Sequence, residues 1–384
     1  MGMTEKKLKP GWKVWRFEQM ATNVNVRIDK PSESGMEHYV GLEHLDPDSL
    51  RIRRWGSPSD VEAGKLMFKK GDIIFAKRRA YQRKLGVTEF DGICSAHAMV
   101  LRAKPEVVLP EFLPFFMQSD LFMNRAVEIS VGSLSPTINW KTMAVQEFAL
   151  PPMEDQRRIV GLLQAVELTA QAFEEAELKA HDLLRSLSKQ QFSDSNSIAS
   201  EQLSLHYSIA SGQVDPRETD YCDLQLIAPN HIEPGTGRIL KLETASEQAA
   251  ISGKYLFDEG AVLYSKIRPN LVKATIAPCR GLCSADMYAL IPKSTLRNEY
   301  LLEILLSNHF TQFAVSGSMR TGIPKLNREH LIQYRCRISS TALQDEYLTR
   351  VGAVRKAITE IDARGATVKD MKSRILAEAC ANGI

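Results

Sequence analysis

Two stretches of the chain repeat apolar residues at coiled-coil spacing. In the first stretch the apolar series are Ile159, Val166, Phe173, Ala180 and Leu187, with Leu163, Ala170 and Leu184 between them. In the second stretch they are Tyr347, Val351, Val354, Ile358, Ile361, Val368, Met371 and Ile375. Spacings of three and four residues place these side chains on one stripe of a helix. The pattern predicts two helices of about 50 Å each, which bury their stripes against each other in antiparallel pairing.

Local signals set the predicted ends of both helices. Pro152 suits the first helical position, and Glu154 lies where the helix dipole favours negative charge. Thr341 and Gln344 have the spacing of a capping box. The polar run SDSNS at residues 193–197 follows the first helix as a linker. The predicted helices are residues 153–194 and 341–384.

The regions before the two helices contain short segments typical of strands. These segments are YVGLEHL, GDIIFAK and AHAMVLRAK in the first region, and AVLYSKI and DMYALIPK in the second. A helix is predicted near residues 110–127 and another near 298–315. The fold is therefore expected to be α+β, with two similar domains at residues 1–152 and 195–340. Small mixed or antiparallel sheets form the domains, and the two long coiled-coil helices separate them.

The two regions are copies of each other. Residues 65–104 align with 254–293 without a gap, and twelve of the forty positions are identical. The match continues in PTINWKTM at 136–143 and PKLNREHL at 324–331. A period this long is not that of a solenoid, whose repeats are about 20 to 50 residues. It predicts a duplicated domain with an approximate two-fold relation, as in a dimer fused into one chain.

Composition narrows the class of protein. Hydrophobic residues make up 44% of the 384 residues, and no apolar run approaches the about 20 residues of a membrane span. The first residues lack the apolar core of a signal peptide, so we expect a cytoplasmic protein with no membrane partner. The six cysteines are scattered and favour free thiols over a metal site. Because the net charge is only +3, any binding of nucleic acid must use local basic patches.

One such patch is KRRAYQRK at residues 77–84, which we call the first basic turn; its copy, KIRPNLVK at 266–273, is the second basic turn. The cations that both copies retain are Lys77, Arg79 and Lys84, and Lys266, Arg268 and Lys273. Retained cations suit DNA phosphates, which carry no sequence information. The positions that vary suit base contacts, and the candidates are Arg78, Tyr81, Gln82, Arg83 and Asn270.

The sequence offers no catalytic residues and no metal ligands. It contains neither a phosphate-binding loop of the G-x-x-x-x-G-K-[ST] type nor the Asn/Asp-Pro-Pro-Tyr/Phe tetrapeptide of an adenine methyltransferase. The acidic PSDVEAGK at 58–65 is reminiscent of a nuclease, but its copy at 245–254 does not keep the acids. Three classes remain open: a DNA-recognition protein, a helical scaffold without sequence specificity, and a nuclease or methyltransferase fragment.

Taken together, these motifs resemble the specificity (S) subunit of type I restriction-modification systems. LKPGWKVWRFEQM resembles the usual opening of a target-recognition domain in that family, and GDIIFAKRRAYQRK and GAVLYSKIRPN resemble its strand-turn element. INWKTMAVQEFALPPMEDQRRIVGLLQAVE resembles the join from the first recognition domain to a conserved helix. The second join, CRISSTALQDEYLTRV, lacks the two prolines and matches the family less well.

The resemblance implies a function that residue spacing alone does not. S subunits are non-catalytic and read a bipartite, asymmetric site in double-stranded DNA with two target-recognition domains, which two antiparallel helices hold apart. They dock two modification (M) subunits, which methylate adenine with S-adenosylmethionine, and restriction (R) subunits, which use ATP. This chain is then expected to hold no cofactor itself, because the partner subunits bind S-adenosylmethionine, ATP and magnesium.

Overall fold

The computed structural model describes residues 8–192, 200–318 and 323–380. The predicted linker at 193–197 and the predicted helix end at 381–384 lie outside these residues. The chain divides into two compact units, residues 1–174 with 363–384 and residues 175–362. Each unit thus takes one of the two copies together with half of each long helix. Within the described ranges, no helix is both long and apolar enough to cross a membrane.

From residue 8 onwards, the first copy folds into three small sheets and five α-helices, with short 3-10 turns between them. Its strands are β1 (Lys13–Arg16), β2 (Ala21–Val24), β3 (Arg27–Ile28), β4 (Tyr39–Val40), β5 (Lys65–Phe68), β6 (Ile73–Phe75), β7 (Leu85–Val87), β8 (Gly92–Cys94), β9 (Met99–Ala103) and β10 (Glu147–Leu150). Its helices are α1 (Phe17–Met20), α2 (Phe112–Gln118), α3 (Asp120–Glu128), α4 (Trp140–Ala144) and the long α5 (Met153–Phe192). The sheet orders are β2-β9-β6-β7, β3-β5-β8-β4 and β1-β10, and only the β4–β8 pair among them is parallel.

The second copy repeats this arrangement. Its strands are β11 (Ser200–Gln202), β12 (Tyr207–Ile209), β13 (Gln213–Val214), β14 (Gln225–Ile227), β15 (Lys254–Phe257), β16 (Val262–Ser265), β17 (Ala274–Ile276), β18 (Gly281–Cys283), β19 (Met287–Pro292) and β20 (Arg335–Arg337). Its helices are α6 (Asn298–Leu306), α7 (Asn308–Ser316), α8 (Arg328–Leu331) and the long α9 (Thr341–Cys380). The sheet orders β12-β19-β16-β17, β13-β15-β18-β14 and β11-β20 match the first copy strand for strand, which confirms the internal repeat.

Two glycines retained between the copies have a steric reason in these sheets. A Cβ atom on Gly92 would lie 2.7 Å from the carbonyl oxygen of His38, next to the parallel neighbour β4. A Cβ atom on Gly281 would lie 2.6 Å from the carbonyl oxygen of Gln225 in the parallel neighbour β14. Both distances are shorter than any real contact of a Cβ atom, so a side chain at either place would push the parallel strands apart.

Aromatic side chains fill the main core of each copy. In the first copy, Phe17, Phe122 and Phe148 are fully buried, with ring centroids 5.3–6.1 Å apart. In the second copy, Phe310 packs on Tyr264 at 5.3 Å and on Tyr334 at 4.8 Å. Such edge and tilted contacts are the favoured geometry of aromatic pairs. Each core thus fixes its sheet against the short helices that follow it.

The prediction of one helix near 110–127 and one near 298–315 is wrong, because each segment forms two helices. The chain leaves the helical conformation at Ser119, between α2 and α3, and at Ser307, between α6 and α7. The Ser119 hydroxyl accepts a hydrogen bond from the backbone N–H of Phe122, and the Ser307 hydroxyl accepts one from Phe310. Each serine therefore caps a new helix, and this capping decides where the chain turns.

In each unit, a part of α5 packs against the part of α9 that runs in the opposite sense. In the first unit the start of α5 meets the end of α9: Leu163 and Leu376 share one hydrophobic cluster, and Lys372 bonds to Glu167. In the second unit the end of α5 meets the start of α9, where the rings of Phe192 and Tyr347 lie 5.4 Å apart. The predicted antiparallel pairing is therefore confirmed.

Burial along both helices follows the predicted stripes with one correction. The predicted pairing residues Ile159, Leu163, Val166, Phe173, Leu184, Leu187, Val351, Val354, Ile358, Ile361, Val368 and Ile375 are all buried or half-buried. The predicted inward position of Met371 is wrong, because its side chain is 48% exposed and Lys372 points inward instead. Gly365 lies on the seam, the line where the apolar stripes of α5 and α9 meet. A Cβ atom there would lie 3.7 Å from Phe173. That is an ordinary contact, so the seam tolerates this glycine and does not require it.

Gln344 does not form the predicted capping box. Its side-chain oxygen accepts a hydrogen bond from the backbone N–H of Arg297 at 2.8 Å, and its side-chain nitrogen donates to the carbonyls of Thr295 and Ser339. The equivalent Gln156 in α5 accepts from the N–H of Leu109 at 2.9 Å and donates to Pro151. Both glutamines are buried, and each fastens the first turn of a long helix to its domain.

Candidate nucleic-acid interface

The two basic turns have the same backbone conformation. In the first, a short 3-10 helix at Ala80–Gln82 lies between Arg79 and Arg83, whose φ angles are +60° and +53°. In the second, Pro269–Leu271 lies between Arg268 and Val272, at +48° and +49°. Left-handed backbone is uncommon for residues other than glycine and is strained for a β-branched valine. Its presence at matching places shows that the turn geometry, and not only the charge, is retained.

Each basic turn is fastened to a segment about 60 residues further along the chain. The backbone N–H of Arg79 donates to the carbonyl of Pro136 at 2.7 Å, and that of Ile138 donates to Lys77 at 2.9 Å. In the second copy, Arg268 donates to Pro324 at 2.8 Å and Leu326 donates to Lys266 at 2.8 Å. We call residues 136–143 and 324–331 the join segments. The turn and the join segment of each copy therefore form one surface.

Two of the retained lysines have partners inside the protein. The Lys84 ammonium donates to the carbonyl of Leu42 at 3.0 Å, and the Lys273 ammonium donates to the equivalent carbonyl of Pro229 at 2.7 Å. These bonds join the turn to the segment that follows β4 in the first copy and β14 in the second. They give the retention of both lysines a structural reason, beside which contact with DNA phosphate stays a prediction.

Lys266 is also held within its domain. Its side chain is only 8% exposed, and its ammonium lies 4.4 Å from the centre of the Tyr288 ring and 5.0 Å from that of Tyr255. The ammonium donates to the carbonyl of Ala285 at 2.9 Å. Burial, and then the charge of Lys325, lowers the pKa of Lys266. Its partner in the repeat, Lys77, is half-buried, and burial lowers its pKa as well.

Arg79 and Arg268 are the retained cations that the surface presents most openly. Both side chains are exposed, and the Arg79 guanidinium has one weak partner, the hydroxyl of Ser135 at 3.2 Å. A guanidinium that is exposed, and placed by a fixed backbone turn, is suited to bind a phosphate through two parallel hydrogen bonds. The geometry therefore favours these two arginines among the predicted phosphate contacts.

The predicted base-contact residues differ in their freedom to reach a ligand. Tyr81 and Asn270 are exposed at the tips of the turns, and Gln82 is half-buried. Arg83, in contrast, is held by the carboxylates of Asp48 at 2.6 Å and Asp120 at 2.9 Å and by the carbonyl of Gln118 at 2.6 Å. The remaining candidate, Arg78, lies 3.4 Å from the ring nitrogen Nε2 of His97. The structure thus commits Arg83 to its own domain and leaves the other candidates accessible.

Other kinds of site have little support in the structure. Within the described ranges, no group of three or more His, Cys, Asp and Glu side chains is arranged to hold a metal ion. A cavity of about 930 Å³ in the first unit is lined by residues of both charge signs, among them Arg83, Glu167 and Lys372. These three side chains are already bonded to protein partners. The basic turns and the join segments are therefore the surfaces that the repeat marks for function.

Comparisons with known proteins agree with this choice. Residues 60–180 match the family model described as type I restriction modification DNA specificity domain. Over 132 residues the chain is 39% identical to the type I restriction enzyme EcoDI specificity subunit of Escherichia coli, which is 34% of this chain and 29% of that protein. The matched segment thus spans less than a third of the relative's length. The family-model match, at residues 60–180, includes the first basic turn and the start of α5.

Solved structures share the fold over almost the whole length. The HsdS subunit from Thermoanaerobacter tengcongensis is 20% identical, with a TM-score of 0.52 and coverage of 98% of both chains. A chain from a study of complex assembly and conformational transition of the type I R-M system is 20% identical, with a TM-score of 0.65 and coverage of 97% of this chain and 98% of that one. The type I S subunit from M. genitalium is 10% identical, with a TM-score of 0.57 and coverage of 99% and 98%. The match to the family model falls on the first copy, and the fold shared with the solved structures continues through the second.

Proposed function

We propose that this chain is the non-catalytic DNA-recognition subunit of a type I restriction-modification complex. Each domain reads one of the two short base sequences, called words below, of a bipartite, asymmetric site. One observation carries the proposal. The two copies have the same sheet orders and the same turn backbone, yet they differ in the side chains that the turn exposes. A fixed framework with different exposed side chains suits two readers of different sequences.

The proposed division of work follows from accessibility. Arg79 and Arg268 bind backbone phosphates and position each domain on the duplex. Exposed residues that differ between the copies, such as Tyr81 and Asn270, contact base edges. Phosphate contacts give affinity that falls with salt, and base contacts give the preference for one sequence.

The long helices offer a surface for the proposed methyltransferase partners. Leu168 and Leu178 of α5 and Leu343 of α9 are exposed on the faces that turn away from the seam. We propose that two methyltransferase subunits dock along these helices and that restriction subunits join afterwards. S-adenosylmethionine, ATP and magnesium then belong to the partners.

Transfer of labelled methyl groups from S-adenosylmethionine to duplex DNA tests the proposal. The purified chain alone is expected to transfer none, and the chain co-expressed with the type I methyltransferase subunit of its own organism is expected to methylate adenine. The methyltransferase subunit without this chain is the control. Methylation by the chain alone would identify an enzyme, and equal methylation of all sequences by the complex would identify a scaffold without specificity; either result contradicts the proposal.

A further inference from the structure

Each domain brings together three segments that are distant in the sequence. We propose, building on the DNA-recognition function above, that base readout is performed by a three-segment cluster: Arg78, His97 and Thr137 in the first domain, and Ile267, Asp286 and Lys325 in the second. Each cluster takes one residue from the basic turn, one from the loop between two strands, and one from the join segment. Arg78 and Ile267 lie in the basic turns, and of all six members only Arg78 is among the base-contact candidates predicted from sequence.

Direct contacts hold each cluster together. Arg78 pairs with Thr137 through an antiparallel bridge, and the Arg78 guanidinium lies 3.4 Å from Nε2 of His97. In the second domain, Ile267 pairs with Lys325 through the equivalent bridge, and the Lys325 ammonium lies 3.5 Å from Oδ1 of Asp286. The three positions are therefore neighbours in both domains, with the same backbone pairing.

Residues beside the clusters that both copies retain hold the same backbone geometry in the two domains. The Ser95 hydroxyl accepts a hydrogen bond from the backbone N–H of His97 at 3.2 Å, and the Ser284 hydroxyl accepts one from Asp286 at 3.2 Å. On the other side, the bonds of Arg79 and Arg268 to the carbonyls of the join-segment prolines fix the turn. An identical framework thus presents three side chains that differ at every position.

The differences change the hydrogen-bonding character of the surface. In the first cluster the cation lies on the turn, beside a histidine whose pKa is lowered by partial burial and then by the charges of Arg78 and Lys77. In the second cluster the cation lies on the join segment, and a carboxylate takes the place of the histidine. Lys325 and Asp286 remain 54% and 48% exposed, so their pairing leaves both open to a ligand.

This chemistry points to particular bases. Arginine binds the two acceptors of guanine through paired hydrogen bonds, and an aspartate accepts from the exocyclic amine of cytosine. We therefore assign a guanine in the first word to Arg78 and a cytosine in the second word to Asp286. The two words differ because one domain offers donors at the loop and turn, while the other offers an acceptor.

Selection from a pool of random duplexes by the full-length chain, with its methyltransferase partner bound, tests the assignment. Arg78→Ala is expected to reduce the preference for one guanine by about tenfold to a hundredfold and to leave the second word unchanged. Asp286→Ala is expected to reduce the preference for one cytosine in the second word and to leave the first unchanged. Arg78→Gln is expected to move the preference from guanine to adenine, because a glutamine amide pairs with adenine.

The controls separate this assignment from the function on which it rests. Arg54→Ala removes an exposed arginine of the first domain, bonded to Asp46, and is expected to keep both words. If the unaltered protein selects no sequence, the DNA-recognition function fails. If it selects two words, and both alanine variants, still folded by their melting curves, keep every preference, the cluster assignment is overturned and the recognition function stands. Should an alanine variant not fold, Arg78→Gln and Asp286→Asn remove the charge, keep a polar side chain at each position and give the same decision.

Discussion

At the scale of single residues, the cations that both copies retain lie in two different environments. Lys84 and Lys273 are retained beside carbonyl groups that they hold, at 3.0 Å and 2.7 Å. Arg79 and Arg268 are retained on an exposed turn whose backbone bonds fix their direction. Sequence identity between the copies could not separate these environments, because both place a cation at the same position in each copy.

Because the environments differ, substitutions of the lysine and of the arginine in the same turn are expected to have different effects. Lys84→Ala is expected to lower the free energy of unfolding by about 1–2 kcal/mol, because a charged hydrogen bond to a half-buried carbonyl is lost. Arg79→Ala is expected to leave stability within about 0.5 kcal/mol and to weaken binding to all DNA sequences, with the salt dependence reduced by about one charge. Urea unfolding and DNA titrations at several salt concentrations measure the two effects. Loss of sequence preference in the Arg79 variant, with an unchanged salt dependence, would show that this arginine reads bases.

The cysteines give a second prediction at this scale. Cys94, Cys283 and Cys336 are fully buried, and burial raises the pKa of each thiol to about 12. A thiol must ionise to react, so these three should resist iodoacetamide at pH 8 in the folded protein. Cys222 and Cys279 are partly exposed and should be modified first. Peptide mass mapping measures the order; rapid labelling of Cys94 before unfolding would contradict the packing around it.

At the scale of elements, a buried glutamine joins each long helix to its domain. Gln344 makes three hydrogen bonds to backbone groups of the second domain, and Gln156 makes two in the first. The residues that lead into α9 lack the two prolines that precede α5, yet Gln344 keeps the same attachment as Gln156. The attachment therefore depends on this side chain more than on the residues that precede the helix.

Substituting these glutamines tests the attachment. Gln344→Ala leaves the Arg297 N–H and two carbonyls without their partner, and we expect a loss of about 2–4 kcal/mol of stability. Gln156→Ala should lose about 1–3 kcal/mol, because fewer groups are affected. The exposed Gln164→Ala and Gln333→Ala are controls and should change stability by no more than about 0.5 kcal/mol. Equal urea midpoints for all four variants would mean that the helices are held by their apolar stripes alone.

The elements that sequence predicted well are those set by local patterns. The two long helices, the strands around the basic turns and the repeat all follow from periodicity and self-similarity. The breaks at Ser119 and Ser307 were missed because apolar periodicity continues through them, and only the capping bonds reveal the break. The contact between Arg78 and Thr137 was missed because backbone pairing between distant segments creates it. The inward position of Lys372 depends on Glu167 in the facing helix and leaves no mark in the stripe itself.

At the scale of the whole molecule, we expect the paired helices to set the length of the unread gap between the two words. In the second unit, the contact of Phe192 with Tyr347 sets a register in which residues 177–183 lie opposite 356–362. Deleting both heptads removes about 10 Å of each helix and keeps the stripes in phase. The preferred gap should then shorten by about three base pairs, with both words unchanged.

The matched deletion has a direct control. Removing residues 356–362 alone shifts the facing stripes and should disturb assembly with the methyltransferase, without defining a new gap. Assembly of each variant is checked first by size-exclusion chromatography. If the assembled double deletion still requires the original gap, the helices do not set the distance between the words.

We propose that one chain reads two different words, one with each of its two similar domains. This is measured by expressing the chain with its proposed methyltransferase partner in a host without adenine methylation and mapping every methylated adenine by sequencing. All of them are expected to fall in sites made of two different short words at a constant gap. A single undivided word, or two halves that are palindromic copies of each other, would contradict it.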